Sequence, residues 1–402
     1  MKIILTFNEL RRDGMGTAAL TLYRALRSQG VEVCPIHAWD EINFPEYEQE
    51  ARPRIVRAGP RHDPITDDVQ ILTKALNDLC EDGDVVIDSG SPNWLCTIPY
   101  LKPGIRWITC VHSINPSTLK LCRAYPDRVS AWVCISKGVR DRFLKKLPKQ
   151  YHDRVHLICN AVTDCEKPKV DYSAGDMLKI VYVGRIEDSS KGCGKIPLIL
   201  SELRRRGIKA RCDFYGYFHD WEKQFWTVVD KVNVRDMVKY CGEIKHEDVY
   251  AFLPQYDVFL SPSNFEGFGL SLAEAMACAV PTVASLIPGV TDWLADYGNS
   301  GLVVPKMDIR GFADALESLF KNQNLRVSLG ERGHRRIIEL AGFEAHGQSY
   351  ADIARMVSAD DGYKMIKPHC SIEHYTVPGF LKPWGPARLL PGWLKSWLRR
   401  FM

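Results

Sequence analysis

The feature that most constrains this chain is a segment at residues 257–285, where two short apolar runs flank a glycine-containing loop and a helix. Residues 257–261 form an apolar run that Pro262 stops, which is typical of a buried strand in a parallel sheet. Residues 270–279 are rich in Ala, Leu and Met, which favour a helix, and residues 280–285 form the second apolar run. The order strand, loop, helix, strand predicts an α/β fold.

The loop before this helix has the properties of a ligand site. Gly267 and Gly269 let the backbone approach a ligand closely, because glycine has no side chain. The helix that follows directs the free amides and the positive dipole of its first turn into the loop. We therefore expect an anion or a group of sugar hydroxyls to bind there.

Two carboxylates frame the same loop. Glu266 lies on the loop and Glu274 about one turn into the helix, with seven residues between them. Such a pair can bind hydroxyl groups, because each carboxylate accepts hydrogen bonds through two oxygens. The alternative is two solvated carboxylates, which are common in the first turn of a helix because the dipole favours negative charge. The glycine-rich surroundings favour the binding role.

Residues 266–274 resemble the E-x7-E element of the retaining family 4 glycosyltransferases, which have the GT-B fold. The resemblance extends over residues 1–345 and implies two Rossmann-like domains that face each other across a cleft. It also implies that Glu274 binds the ribose of a nucleotide and that Glu266 approaches the donor sugar. The loop amides that would contact the sugar and its diphosphate belong to Phe268, Gly269 and Leu270.

The N-terminal residues predict a βαβ opening. A strand over residues 2–6 is followed by a glycine loop at residues 13–17, a helix over residues 18–29 and a strand over residues 31–34. The resemblance implies that Gly14 and Gly16 let the backbone reach the donor diphosphate across the cleft. From the residues alone, the two glycines can also be simple turn residues, since they do not complete a dinucleotide-binding pattern.

A second candidate lies at the end of a strand predicted over residues 106–113. Ligands bind beyond the carboxyl ends of strands in open parallel sheets, so His112 is expected to face the cleft. A lone histidine is more often structural, but the resemblance implies that His112 lies near the donor sugar and positions sugar or acceptor. Earlier, residues 40–68 lose periodicity and predict a long irregular segment, either an acceptor-binding loop or a plain surface loop.

The first strand of the second half ends on two cations. Arg185 follows that strand, and Lys191 lies six residues later, ahead of a predicted helix. A planar guanidinium and an ammonium group beyond a strand end suit a diphosphate leaving group, although exposed Arg and Lys are common. The resemblance implies that both are electrostatic catalysts. It places Gly216 near the nucleotide and the backbone after Gly242 near the nucleobase, and backbone contacts do not reveal which base is bound.

Breaker-rich residues 167–175 predict a boundary between domains. We expect an N-terminal, acceptor-side Rossmann-like domain over residues 1–165, a nucleotide-sugar-binding Rossmann-like domain over residues 176–345, and a crossover helix with a basic aromatic tail over residues 346–402.

The composition is that of an ordinary soluble globular protein, with 46% hydrophobic and 25% charged residues in a chain of 402. No apolar run approaches the length of a membrane span and the first residues lack the design of a signal peptide, so we expect a cytoplasmic protein. The thirteen cysteines are scattered without a Cys-x-x-Cys pair, and several stand in apolar runs. We expect buried free thiols and no metal site.

Positive charge is concentrated near the C-terminus. Residues 362–402 hold seven Lys and Arg residues against Glu373 alone, whereas the whole chain has a net charge of +4. The rest of the chain is therefore slightly acidic, which argues against a nucleic-acid partner. Residues 392–402 mix Trp and Leu with Lys and Arg, as in an interfacial helix on anionic lipid, or else they pack onto the body or mediate self-association. A basic helix over residues 137–147 faces either such a surface or solvent.

These features and the resemblance together imply a retaining, metal-independent hexosyltransferase. The donor would be a UDP- or GDP-hexose, used as a substrate with no further cofactor. The acceptor would be a hydroxyl of a growing glycan or lipid-linked glycan of the lipopolysaccharide or exopolysaccharide type. The alternatives are a sugar-nucleotide epimerase of the same fold and a non-catalytic nucleotide-sugar-binding protein. We expect the protein in the cytoplasm, with peripheral contact at the inner face of an anionic membrane.

Overall fold

The computed structural model of the chain describes residues 1–360 apart from residues 8–9, 12–13, 40–41, 44, 58–64, 174 and 219. The basic aromatic tail predicted beyond residue 360 lies outside the described residues.

The first half of the chain alternates strands and helices. Its strands are β1 (Ile3–Phe7), β2 (Leu10–Arg11), β3 (Val33–Trp39), β4 (Ile42–Asn43), β5 (Arg54–Arg57), β6 (Val85–Asp88), β7 (Arg106–Val111), β8 (Ala131–Cys134) and β9 (Val155–Leu157). Its helices are α1 (Gly14–Ser28), α2 (Pro45–Ala51), α3 (Ile65–Leu79), α4 (Pro92–Leu95), α5 (Pro116–Cys122) and α6 (Lys137–Leu144). Seven strands form one parallel sheet in the order β5-β3-β1-β6-β7-β8-β9, while β2 and β4 pair separately.

The second half repeats this architecture. Its strands are β10 (Leu178–Val183), β11 (Ala210–Tyr215), β12 (Val238–Gly242), β13 (Val258–Ser261), β14 (Thr282–Ser285) and β15 (Leu302–Val304). Its helices are α7 (Lys195–Arg205), α8 (Glu222–Lys231), α9 (His246–Phe252), α10 (Leu270–Ala277), α11 (Thr291–Leu294), α12 (Ile309–Lys321), α13 (Gln323–Ala341) and α14 (Phe343–Ser358). The sheet order is β12-β11-β10-β13-β14-β15, and every neighbouring pair is parallel. The predicted pair of Rossmann-like domains is confirmed.

Two expectations about the first half were wrong. The segment at residues 40–68 contains α2 and the edge strand β5, so it is not irregular throughout. The strand was missed because only its two central residues, Ile55 and Val56, are apolar. The glycine loop expected at residues 13–17 is instead the start of α1 at Gly14, where Gly16 is buried in the first turn. A buried glycine in a helix and a glycine in a loop look alike in sequence.

The central strands are largely apolar because helices cover both faces of each sheet. All five residues of β1 are buried, and the largest fully buried side chains include Trp94, Trp107 and Trp132. Each large apolar side chain of this kind contributes about 1.5–3 kcal/mol to folding. The twelve cysteines in the described part of the chain are free thiols, and burial raises the pKa of Cys110 to about 12. The expectation of buried free thiols is confirmed for ten of these positions, whereas Cys34 and Cys241 are partly exposed.

The last described helix, α14, leaves the second half and packs against the first. It lies on α1, where a Cβ on Gly347 would sit 2.4 Å from the carbonyl oxygen of Ala25. At its start, Nδ1 of His346 lies 2.7 Å from the carbonyl oxygen of Cys159. Among the described helices, none has a segment both long enough and apolar enough to cross a bilayer.

Candidate functional site

The two domains enclose a cleft of about 490 Å³ at the carboxyl ends of their strands. Ten of the twelve predicted site residues line it: Gly14, His112, Arg185, Lys191, Gly216, Glu266, Phe268, Gly269, Leu270 and Glu274. Gly16 and Gly242 do not line it. Gly16 is buried within α1, and beyond β12 the cleft is lined by Glu243 and Ile244 instead of Gly242.

In the second sheet, β10 and β13 are neighbours, and the strands that follow each of them in sequence lie on opposite sides of this pair. Arg185 follows β10 and Glu266 follows β13, so both lie beyond the carboxyl ends of this central pair. Glycines determine the path of the backbone beside Arg185. A Cβ on Gly216, after β11, would lie 2.0 Å from the carbonyl oxygen of Gly184, so only glycine allows this approach. The hydroxyl of Tyr182 donates to the carbonyl oxygen of Arg185 at 2.6 Å. The Arg185 side chain remains 41% exposed, with Nη2 at 3.7 Å from Oε1 of Glu187.

Lys191 and Glu266 form an ion pair in the cleft. Nζ of Lys191 lies 2.7 Å from Oε1 of Glu266, and the same oxygen accepts a hydrogen bond from the Ser263 hydroxyl at 2.9 Å. The two loops that carry this pair are joined by their backbones, because the amide of Asn264 donates to the carbonyl oxygen of Ser190 at 2.7 Å. The acidic loop and the cationic loop are therefore held together by contacts within the protein itself.

Glu274 forms a second pair, with His246. Its Oε1 lies 2.8 Å from Nε2 of His246, and Glu274 is 4% exposed. Sequence reasoning missed His246. It is the first residue of α9 and follows the end of β12 by four positions, so the strand-end rule that selected His112 could have selected it too.

The start of α10 forms the wall between these two pairs. Gly269 caps the helix with a φ of 94°, in the left-handed region, and, within the described residues, no side-chain cap accepts a hydrogen bond from the first amides. Gly269, Leu270 and Ser271 all line the cleft. Free amides and the helix dipole make this end of the helix favourable for negative charge.

His112 contributes the opposite wall, just past the end of β7. Burial lowers its pKa to about 4, so the ring is neutral at physiological pH. The residue also touches the acidic loop through its backbone, because a Cβ on Gly267 would lie 2.1 Å from the carbonyl oxygen of His112. Position 267 must therefore be glycine for the two domains to make this contact.

Three further contacts join the domains beside the cleft. The hydroxyl of Ser136, which caps α6, donates to the carbonyl oxygen of Gly267 at 2.7 Å. The amide of Gly138 donates to the carbonyl oxygen of Gly289 at 2.6 Å. Nη1 of Arg142 reaches the carbonyl oxygen of Pro288 at 3.2 Å. The basic helix predicted over residues 137–147 thus begins at a contact between the domains. We had expected this helix to face either an anionic membrane surface or solvent.

Comparison with known proteins agrees with this architecture. The family model described as "Glycosyltransferase Family 4" matches residues 12–164, and the model described as "Glycosyl transferases group 1" matches residues 166–336. The lipopolysaccharide core biosynthesis glycosyltransferase LpsE of Rhizobium meliloti is 31% identical over 242 residues, which cover 57% of this chain and 67% of LpsE. The chain belongs to the family 4 glycosyltransferases.

The fold of the family is shared by a solved structure, that of Anabaena Alr3699/HepE in complex with UDP and glucose. It superposes with a TM-score of 0.72 at 13% identity and covers 88% of this chain and 98% of that chain. The N-acetyl-alpha-D-glucosaminyl L-malate synthase of Bacillus anthracis is 31% identical over 141 residues, which cover 34% of this chain and 36% of that relative. Several curated relatives are matched over only about a third of their own length. The predicted GT-B fold is confirmed.

Proposed function

We propose that this protein transfers a hexose from a nucleotide-diphosphate sugar to a hydroxyl of a growing glycan or glycolipid, with retention of the anomeric configuration. The observation that carries the proposal is the meeting of Arg185 and Lys191 with Glu266 and Glu274 in one cleft between two Rossmann-like domains. The complex of the similar HepE fold with UDP and glucose supports a nucleotide sugar as donor. The resemblance to LpsE supports an acceptor of the lipopolysaccharide type.

The cations would act on the leaving group. Cleavage of the anomeric bond places negative charge on the diphosphate, and fixed positive groups stabilise that charge in the transition state. Arg185 offers a planar fork, Lys191 a point charge, and the amides at the start of α10 a further set of donors. These groups supply the positive charge that a metal would otherwise provide, and we propose that the reaction proceeds in the presence of a chelator.

The carboxylates would hold the donor. Oε1 of Glu274 lies 2.8 Å from Nε2 of His246. The Glu274 carboxylate would accept hydrogen bonds from ribose hydroxyls beside this contact or in place of it. Oε1 of Glu266 already accepts from Lys191 and Ser263, and two donors on one oxygen lower its strength as a nucleophile. This favours direct attack by the acceptor hydroxyl on the same face of the sugar over a covalent intermediate on Glu266.

A glycolipid acceptor would bring the protein to the inner face of an anionic membrane. The residues that would mediate this contact lie mainly beyond Asp360, where the sequence is basic and aromatic. Cosedimentation with vesicles containing phosphatidylglycerol, compared between the full chain and a chain ending at Asp360, tests this part. Equal binding of both chains would contradict it.

The experiment that tests the central proposal is a thermal-shift screen of UDP, GDP, ADP and TDP sugars. A ligand that binds the native state raises the melting temperature, so the donor is expected to stand out from its competitors. The sugar so identified is then incubated with a glycan acceptor, and the anomeric configuration of the product is read by proton NMR. Product of inverted configuration, or turnover of the donor sugar into an epimer without any acceptor, would refute the proposed reaction.

A further inference from the structure

His112 borders a second, much smaller cavity in addition to the cleft. This cavity has a volume of about 20 Å³ and lies between β1, β7, α1 and α14, with His346 and Tyr350 of α14 in its lining. A volume of that size holds about one water molecule. Helix α14 follows the second domain in sequence and packs on the first domain. The cavity therefore lies between α14 and His112, which also lines the cleft.

The hydrogen-bonding role of each His346 nitrogen follows from its surroundings. Nδ1 lies 2.7 Å from the carbonyl oxygen of Cys159, and a carbonyl oxygen only accepts, so Nδ1 carries the proton. Burial lowers the pKa of His346 to about 4, so the ring is neutral and Nε2 has a free lone pair. Among the described residues, none is a hydrogen-bond partner of this buried Nε2.

His112 also has a buried ring nitrogen without a partner among the described residues. Its Nδ1 is buried and has no hydrogen-bond partner in the described part of the chain, while the residue also lines the cleft. A buried nitrogen without a partner costs about 1–3 kcal/mol. Two such nitrogens belong to rings that line one cavity, and a water molecule that satisfies both removes that cost.

We propose that one water molecule in this cavity bridges Nε2 of His346 and Nδ1 of His112, and that His346 thereby fixes the proton of His112 on Nε2. The water donates one hydrogen to His346, whose Nε2 can only accept. It donates the other to Nδ1 of His112, which leaves the His112 proton on Nε2. No proton is transferred in this arrangement.

The arrangement gives His112 one hydrogen-bonding role at the cleft. A neutral imidazole of fixed tautomer donates from Nε2 to an oxygen of the bound sugar or acceptor, whereas a mixture of tautomers donates only part of the time. His346 is a positioning residue, because it acts on the cleft only through the water and His112. The benefit to transfer rests on the function proposed above, but the bridge itself does not.

The test combines histidine side-chain NMR with kinetics in His346→Leu. In the unsubstituted protein labelled with ¹⁵N-histidine, the His112 signals, assigned by their loss in His112→Gln, should show the Nε2–H tautomer. In His346→Leu they should shift towards a mixture, and kcat should fall about tenfold with little change in the donor KM, as for one lost hydrogen bond. The matched control is His334→Leu, because Nδ1 of His334 also contacts a backbone carbonyl, that of Ala277 at 2.8 Å, but His334 lines neither cavity.

Unchanged His112 signals in His346→Leu would overturn the proposal, and so would equal losses of kcat in both leucine variants. A measurement on the unsubstituted protein covers the case in which His346→Leu fails to fold. Its crystallographic density should place one oxygen within hydrogen-bond distance of both nitrogens, and density without that oxygen would overturn the bridge. The expected His112 signals in a protein that turns over no nucleotide sugar would support the bridge and contradict the proposed function.

Discussion

Adding one methyl group at Gly267 should separate the two domains at the cleft. A Cβ at this position would lie 2.1 Å from the carbonyl oxygen of His112, whereas such contacts are essentially never shorter than 3.0 Å. The backbone of Gly267 is not in the left-handed region, so Gly267→Ala introduces no conformational strain and the obstacle is space alone. The partner atom belongs to the backbone of the other domain, and no side-chain rotation relieves the contact.

The size of the effect follows from this geometry. The loop and the end of β7 must move apart by about 0.9 Å to reach the shortest tolerated distance. Such overpacking costs about 1–3 kcal/mol, and a displacement of about 1 Å between catalytic groups reduces the rate about a hundredfold. Binding of the free nucleoside diphosphate should stay within about a factor of three, equivalent to about 0.6 kcal/mol, because its proposed contacts lie mainly in the second domain.

The assay measures release of the nucleoside diphosphate from the donor in the presence of acceptor, beside calorimetric titration of the diphosphate alone. Gly175→Ala is the matched control, because a Cβ at Gly175 would meet nothing within 4 Å and its φ is also outside the left-handed region. A Gly267→Ala protein with the kcat of the unsubstituted enzyme would refute the reasoning. So would a variant that loses nucleotide binding and transfer to the same extent.

Three further predictions concern single side chains. Arg185→Ala should lower kcat by about 10²–10³ and leave the melting temperature unchanged, because the side chain is 41% exposed and its contact with Glu187 is loose at 3.7 Å; a folded variant that retains turnover would contradict this. Glu274→Gln should raise the donor KM about tenfold with a smaller change in kcat, through weaker hydrogen bonds to ribose, and steady-state kinetics that show the reverse would count against that role. His37 is fully buried, and burial lowers its pKa from 6.5 to about 4, so the unfolded chain takes up the proton first. The stability that neutral His37 contributes above pH 6.5 is therefore lost as the pH falls towards 4, by about 2 kcal/mol at about pH 5. His37→Phe should remove this loss when the free energies of unfolding from urea titrations above pH 6.5 and at about pH 5 are compared.

The sequence contained enough information to predict the fold, because most strands of the second sheet are short, largely apolar runs that end at or just before a glycine, a proline or a polar residue. The same rule placed Arg185, His112 and the acidic loop at strand ends, and the structure brings them to one cleft. The rule failed where the apolar signal was short, as in β5, and where a glycine serves packing and not a turn, as at Gly16.

The pairing of side chains within the cleft was beyond sequence reasoning. Lys191 and Glu266 are 75 residues apart in the chain, and Glu274 and His246 are 28 apart, so nothing local links them. The contact between Gly267 and His112 was hidden for the same reason, since it depends on how two domains meet. Sequence patterns report on single elements, whereas these contacts arise from the packing of one domain against the other.

The central claim is that Arg185 and Lys191 bind a diphosphate in the cleft, and calorimetric titration of a nucleoside diphosphate and of the matching monophosphate tests it most directly. The control is Arg204→Ala, because Arg204 has a similar exposure of 37% but pairs with Asp236 and does not line the cleft. The unsubstituted protein and the control should bind the diphosphate at least about tenfold more tightly than the monophosphate, a difference of about 1.4 kcal/mol. Arg185→Ala and Lys191→Ala should lose most of this preference. If both variants keep the full preference for the diphosphate, the claim is contradicted.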